Sequence, residues 1–298
     1  MLDAVVREQT GESWGKARTL VRRGKVRVNG MLATEITHGV RPEDEVVIDR
    51  EARRIDTQGL PADAFLHVDP DIVVVVKPVD ILTLPYDNER GTLVDLARMA
   101  LQRQTTQRRG GRAQRSELGV VQRLDKQTSG VLVFARTFAS KRELQRQFRE
   151  HTVERRYLAI VHGTVTAPFT SDTMFIRDRG DGLKGSWGVF RRPRGPVPSD
   201  AQRAVTHVRP LRALRGATLV ECRLETGRQH QIRVHLSERG HALVGEPVYI
   251  RDQQGPRIEA ARPMLHAAVL GFAHPRTGET MRFEVPPPPD FQAMLQRL

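Results

Sequence analysis

Residues 120–135 read Val120-Val121-Gln122-Arg123-Leu124-Asp125-Lys126-Gln127-Thr128-Ser129-Gly130-Val131-Leu132-Val133-Phe134-Ala135. The closing run, Val131 to Ala135, is uniformly apolar with β-branched and aromatic members, the pattern of a buried strand. The loop before it, closed by Thr128-Ser129-Gly130, displays one carboxylate, Asp125, between Arg123 and Lys126. Flanking cations favour the ionised carboxylate, the form that carboxylate nucleophilic catalysis requires. By itself an Asp-Lys pair is most often a salt-bridged surface turn, so the rest of the chain decides.

Upstream, Ile72 to Val76 is a second buried strand, ended by Lys77-Pro78. Leu93 to Leu101 predicts a short helix with Leu93, Leu96, Ala97 and Ala100 on one side. The stretch from Gln102 to Ser116 carries Arg103, Arg108, Arg109, Arg112 and Arg115 without an acid, and reads as a mobile basic loop. Downstream, Ser140-x-x-Glu143 reads as a capping box for a helix with Leu144 and Phe148 on one face. Tyr157 to Val161, Ala204 to Val208 and Leu219 to Leu224 are strand-like, and Gln229 to Glu238 suits a helix closed by Gly240. Gly180 to Asp200, rich in glycine, proline and arginine, reads as an insertion or lid. Without repeats or regular βαβ alternation, the fold class expected is α+β with a mixed, mostly antiparallel sheet and flanking helices.

The first 56 residues form a separate small α+β unit. Trp14, Ala17, Leu20 and Val21 recur at helical spacing, interleaved with Lys16, Arg18, Arg22 and Arg23, and Gly24 ends the helix. Lys25 to Val28 then alternates as a strand, Asn29-Gly30 is a strong hairpin signal, and Glu45 to Ile48 completes the unit. The expected organisation is 1–56, a linker over 57–64 with Gly59 and Pro61, and a main domain over 65–298.

Composition narrows the function. Of 298 residues, Lys and Arg number 48 against 35 Asp and Glu, a net charge of +13 that points to a polyanion, above all nucleic acid. Aromatics at 5% are too few for a single-strand binder built on stacking rings. No window of 18 apolar residues predicts a membrane span, and Met1 to Glu8 lacks the apolar region of a secretory signal. The single cysteine, Cys222, cannot form an internal disulfide and reads as a buried strand residue. These features lead to the expectation of a cytoplasmic protein without a membrane partner. His230 and His235, five apart and without Cys or carboxylate companions, read as packing or hydrogen-bonding groups rather than metal ligands. No glycine-rich phosphate loop is present, so neither a nucleotide cofactor nor a metal is expected.

Arg123-Leu124-Asp125-Lys126-Gln127-Thr128-Ser129-Gly130 resembles the central motif of the RluA-type pseudouridine synthases. Two further stretches resemble that family in the same order. They are Arg156-Tyr157-Leu158-Ala159-Ile160-Val161-His162-Gly163 and Leu224-Glu225-Thr226-Gly227-Arg228-Gln229-His230-Gln231-Ile232-Arg233-Val234-His235-Leu236, followed by Gly245-Glu246-Pro247-Val248-Tyr249. Val26-Arg27-Val28-Asn29-Gly30 resembles the turn of the S4-type RNA-binding domain. The resemblance implies a cofactor-free isomerase that converts uridine to pseudouridine in structured RNA, with ribosomal RNA of the large subunit as the partner. It implies Asp125 as the essential carboxylate, Arg233 as its paired cation, and Tyr157 as a ring that stacks on the target base and assists proton transfer. Arg123 and Gln122 are substrate-binding candidates, Arg228 is a phosphate binder or a structural salt bridge, and Lys16, Arg22, Arg23, Arg109 and Arg112 are candidates for RNA phosphates. Gln122 stands where the motif usually carries His; its amide can hydrogen-bond but lacks imidazole's charge switch.

No second carboxylate in the sequence is obviously paired with Asp125, which disfavours a hydrolase using an acid/base pair. Two competitors stay open at this level. One is a catalytically inactive RNA-binding or ribosome-assembly protein on the same fold, and the other a nucleic-acid glycosidase releasing free uracil.

Overall fold

A computed structural model describes the chain except residues 34, 35, 52–59, 86–90, 110–116, 191–194, 251, 252 and 254, and gives the backbone alone at 31, 32 and 104–109. Two compact units emerge, Met1–Leu60 with Asp95–Ala113, and Pro61–Val94 with Gln114–Leu298.

The first unit opens with helices α1 (Leu2–Thr10) and α2 (Trp14–Arg22). Ser13 caps α2, its side chain accepting from the Lys16 backbone N–H. Strands β1 (Val26–Val28), β2 (Met31–Leu32) and β3 (Val46–Ile48) form an antiparallel sheet in the order β2-β1-β3. Asn29 and Gly30 both take left-handed conformations (φ 51° and 73°), as a tight hairpin turn demands. Leu2, Val6, Ala17, Val21, Val26 and Val28 bury together as the core. The N-terminal residues, read in the sequence only for what they exclude, thus supply half of the helical layer. Helix α3 runs Leu93–Arg109, so the basic stretch expected as a loop from Gln102 is helical to Arg109. Gln and Arg are good helix formers, and no glycine interrupts them before Gly110. Residues 110–116, including Arg112, lie outside the described residues.

The second unit is built on a sheet of β4 (Phe65–Val68), β5 (Ile72–Lys77), β6 (Gly119–Val120), β7 (Ser129–Ala135), β8 (Glu154–His162), β9 (Phe169–Ile176), β10 (Gly185–Ser186), β11 (Gln202–Leu214), β12 (Ala217–Leu224), β13 (Leu265–Ala273) and β14 (Thr280–Glu284). The order is β10-β9-β11-β12-β8-β13-β7-β5-β4, with β14 beside β13 and β6 beside β7. Among the described residues every pairing is antiparallel except β13 with β7. Helices α4 (Phe138–Arg149), α5 (Gln231–Glu238) and α6 (Pro289–Arg297) accompany the sheet. Leu144 of α4 packs with Ile72, Val74, Val131, Val133 and Leu270 in one core cluster.

The start of α4 corrects the sequence reading. Its cap is Thr137, whose Oγ1 accepts from the Ser140 N–H at 3.0 Å. Ser140 is buried and donates instead to Asp71 Oδ1 at 3.1 Å, while Glu143 pairs with Arg146. A polar side chain facing inward at the third helical position finds a tertiary partner before it can serve as a cap.

The crossing of β7 and β13 sets the geometry of the centre. Gly130 (φ 125°) lies opposite Ala267, and a Cβ there would stand 2.2 Å from the Ala267 carbonyl oxygen. Only glycine allows that approach. Next to it the Ser129 hydroxyl donates to His266 Nδ1 at 2.9 Å, the other ring nitrogen facing the Val285 carbonyl.

Candidate active site

Asp125 sits in the short loop that feeds β7, and three segments fix that loop through its backbone. Thr83 Oγ1 accepts from the Leu124 N–H at 3.1 Å and donates to the Leu124 carbonyl at 2.9 Å, satisfying one residue twice as a neighbouring strand would. Lys77, at the end of β5 opposite Gly130, donates from Nζ to the carbonyls of Lys126 and Pro78, both at 2.8 Å. Arg262 Nη1 donates to the Gln127 carbonyl at 3.2 Å, and the Thr128 N–H closes the turn onto the Asp125 carbonyl at 3.0 Å. Lys77 is fully buried, and burial pulls its pKa down from 10.5 to about 7, with Asp80 and Asp125 opposing the fall. Two carbonyl acceptors match the two N–H bonds of a neutral amine.

The cation expected beside Asp125 is there. Arg233 Nη1 lies 3.7 Å from Asp125 Oδ2. Its tighter partner is Glu246, which no sequence argument had picked: Nε and Nη2 donate to the two Glu246 oxygens at 2.8 and 2.7 Å. Glu246 also accepts from the N–H groups of Val248 (3.0 Å) and Tyr249 (3.2 Å), and its side chain has no exposure. A second carboxylate therefore does accompany Asp125, on the other side of a shared guanidinium. Burial works against the Arg233 charge, yet Glu246 and then Asp125 raise its pKa above the usual value. The segment carrying Glu246 turns at Gly245 (φ 76°), where a Cβ would meet the Arg262 carbonyl oxygen at 2.0 Å.

Arg233 is aimed by α5, whose own polar groups anchor it to the sheet. Gln231 accepts from Thr226 Oγ1 (2.8 Å) and the Arg228 N–H (2.9 Å), and donates to the Val205 carbonyl and Thr206 Oγ1, both at 2.9 Å. His235 sits between Thr206 (2.8 Å) and Thr173 (2.9 Å), and burial pushes its pKa down to about 4. His230, the residue before the helix, holds φ 60° and brings Nε2 to 4.0 Å from Asp125 Oδ1, with Nδ1 2.9 Å from the Tyr249 hydroxyl.

Tyr157 lies in β8, 8% exposed, its phenol pushed up to about 12 by burial, with Arg155 opposing and the Asp125 charge adding to the rise. Arg155, two residues earlier on the same face of the strand, is buried and donates to the Glu225 carbonyl at 2.6 Å. Its Nη1 would stand 2.8 Å from a Cβ at 227.

The other expected residues are placed differently. Arg123 is exposed. Gln122 is half-buried, with its Nε2 unpartnered among the described residues. Arg228 Nε donates to the Arg203 carbonyl at 3.0 Å rather than pointing at Asp125. Lys16 and Arg22 on α2, and Arg23 at its C-cap, are exposed. Arg109 ends α3 with its side chain outside the described residues, as is all of Arg112. Between Arg179 and Phe190, the stretch read as a lid folds back through β10 onto β9, with a buried Arg179–Asp181 ion pair.

One cluster elsewhere, Asp69, Asp71 and His274, has donor atoms close enough for a metal. His274 Nδ1 accepts from the N–H groups of Arg276 (3.3 Å) and Thr277 (3.1 Å), so Nε2 carries the proton and donates to Asp69 at 3.0 Å. That tautomer has no free lone pair for a cation, and the cluster is a hydrogen-bonded network joined by the Arg276–Asp71 ion pair at 2.7 Å.

A carboxylate on a fixed loop, beside a guanidinium pinned by a second carboxylate, suits attack on, or stabilisation of, an electron-poor sugar carbon. The family described as RNA pseudouridylate synthase matches residues 71–238. The Bacillus subtilis protein described as uncharacterized RNA pseudouridine synthase YlyB is 36% identical over 297 residues, covering 97% of this chain and 91% of that protein. The ribosomal large subunit pseudouridine synthase D of Zymomonas mobilis is 36% identical over 254 residues, covering 82% of this chain and 74% of its own. Among solved structures, human RNA pseudouridylate synthase domain containing 4 superposes with a TM-score of 0.60 at 25% identity, covering 79% of this chain and 93% of that one.

Proposed function

Because the chain belongs to the RNA pseudouridylate synthase family, we propose that it isomerises uridine in large-subunit ribosomal RNA, with Asp125 as the essential carboxylate. The ribosomal assignment follows from the similarity to relatives described as ribosomal large subunit pseudouridine synthase D. The observation that carries the residue assignment is the Asp125–Arg233 approach of 3.7 Å at the end of a loop clamped by Thr83, Lys77 and Arg262.

The reaction breaks the bond from N1 of uracil to the ribose, turns the base, and joins the ribose to C5. Asp125 acts on the sugar or base as the bond breaks, and Arg233 keeps it charged once RNA excludes water. Tyr157 offers its ring to the target base, which leaves its helical stack to reach the site. Gln122, whose amide nitrogen is buried without a partner among the described residues, lies beside the Asp125 loop and positions that loop for the RNA. Lys16, Arg22 and Arg23 on an S4-like unit bind RNA phosphates, as do Arg109, Arg112 and Arg228; phosphate neutralisation dominates such affinity.

The test is Asp125→Asn in a single-turnover assay on ribosomal RNA. Loss of pseudouridine formation with RNA binding retained is expected. Turnover by the variant would sink the assignment, and release of free uracil by the wild type would make the protein a glycosidase.

A further inference from the structure

Four arginines are buried among the described residues: Arg155, Arg179, Arg233 and Arg262. Three of them hold a carboxylate, Arg179 pairing with Asp181, Arg233 with Glu246 and Arg262 with Asp290. Arg155 has no such partner among the described residues. A guanidinium keeps its proton in a protein, and a charge enclosed without a counter-charge is costly. Burial accordingly lowers its pKa, with Tyr157 opposing.

Its hydrogen bonds leave the same gap. Nη2 donates to the carbonyls of Glu225 at 2.6 Å and Leu224 at 3.5 Å. Nε is enclosed without a partner, and Nη1, not itself enclosed, has none either among the described residues. Phe148 lies 5.5 Å from the guanidinium carbon and offsets part of the charge through its ring face, but it brings no counter-charge. Nη1 sits over Gly227, where a Cβ would stand 2.8 Å from it. The unpartnered edge therefore lies against the segment that leads into α5.

The place of Arg155 beside the chemistry says what the missing anion is. Arg155 and Tyr157 project from the same face of β8, two residues or about 7 Å apart along the strand. A uridine whose base lies on Tyr157 and whose ribose reaches Asp125 carries its phosphates within that reach. A phosphodiester bears one permanent negative charge, and guanidinium N–H groups match its oxygens. We propose that Arg155 binds a phosphate flanking the flipped uridine, with Nη1 donating to a nonbridging oxygen. This rests on the reading above that the site makes pseudouridine. Because the counter-charge arrives with the RNA, the burden of the buried cation is relieved only in the complex, and only by a nucleotide that is fully seated.

The test measures affinity for fragments of large-subunit ribosomal RNA across a salt series, with the wild type and with Arg155→Met, which keeps an unbranched side chain without charge. Loss of one charged contact predicts binding weaker by about ten- to a hundredfold, with a salt slope shallower by about 0.7–0.9, the share of a single phosphate. Arg155→Lys keeps the charge and should keep the slope. Fragments with one methylphosphonate, which replaces a charged oxygen by methyl, on the 5′ or the 3′ side of the converted uridine locate the contact. At one of the two positions the wild type should lose affinity and Arg155→Met should lose no more. A lower melting temperature with an unchanged salt slope would make Arg155 only a clamp on the Glu225 carbonyl and overturn the proposal, as would additive losses at both positions. A wild type that makes no pseudouridine, with the slope of Arg155→Met still shallower, would remove the isomerase reading alone, since the phosphate contact is read without turnover.

Discussion

Replacing Glu246 by glutamine keeps its size and removes its charge. The remaining oxygen can still take Arg233 Nη2 and the two backbone N–H groups, but an NH₂ would then face Arg233 Nε–H across a 2.8 Å gap. Neutralising one partner of a buried ion pair costs about 3–5 kcal/mol. Asp125, already 3.7 Å away, can draw the freed guanidinium toward itself, so the lower end, about 3 kcal/mol, is expected. For a unit of this size that lowers the melting temperature by about 6–12 °C. The same swing brings Arg233 into direct contact with the Asp125 oxygens, leaving that carboxylate less available to the substrate, so turnover should fall while RNA binding holds. Circular dichroism melts and single-turnover rates measure the two effects. Pairing Arg233→Met with Glu246→Leu should recover much of the stability and none of the activity, because apolar groups of similar volume pack where an ion pair was. If Glu246→Gln melted within about 2 °C of the wild type and turned over normally, the view of Arg233 as a cation pinned between two carboxylates would be refuted.

Thr83→Val strands both polar groups of Leu124 and should cost about 1–3 kcal/mol, with a drop in turnover larger than the drop in RNA affinity; an unchanged rate would mean that the loop holds itself. Gly130→Ala puts a methyl 2.2 Å from the Ala267 carbonyl and should leave the main unit unfolded or its sheet broken at β7–β13, visible as lost amide protection in both strands. Lys77 gives a pH signature. Its folded pKa (about 7) lies below its unfolded value of 10.5, so between these pH values the unfolded chain binds the extra proton and wild-type stability rises with pH. Relative to Lys77→Met, the wild type should gain up to about 1.4 kcal/mol per pH unit above pH 7; urea titrations at pH 6, 8 and 9 showing a constant difference would contradict the burial argument.

What the sequence disclosed and what it hid separate by range. Val131–Ala135, the Asn29-Gly30 turn and α2 are local patterns, and each appears close to where its residues predict. Asp125 and Arg233 came from motifs, and the fold brings them together. Glu246 lies in the matched stretch Gly245 to Tyr249 but carries no role there, because only the fold brings its carboxylate to Arg233. Lys77 read as the stop of a strand, since nothing local says that its ammonium reaches the carbonyl of Lys126. His230 and His235 read as packing or hydrogen-bonding groups, and both hydrogen-bond, His230 to the Tyr249 hydroxyl and His235 to Thr206 and Thr173; what the five-residue spacing does not give is the approach of His230 to Asp125. Thr137 displaced Ser140 as a cap for the same reason: Asp71, 69 positions away, claims the Ser140 hydroxyl.

The one parallel seam among the described strands also sets a timetable for making the protein. Ser129 and His266 are 137 positions apart, so at about 5–20 residues per second a ribosome needs roughly 7–27 s to deliver β13 after β7. Until then the strand behind Asp125 and the strand bearing Tyr157 have no common neighbour, and an apolar edge stays open to chaperones or to a wrong partner. A nascent chain of this protein therefore has no assembled catalytic centre while most of its length is already in the cell.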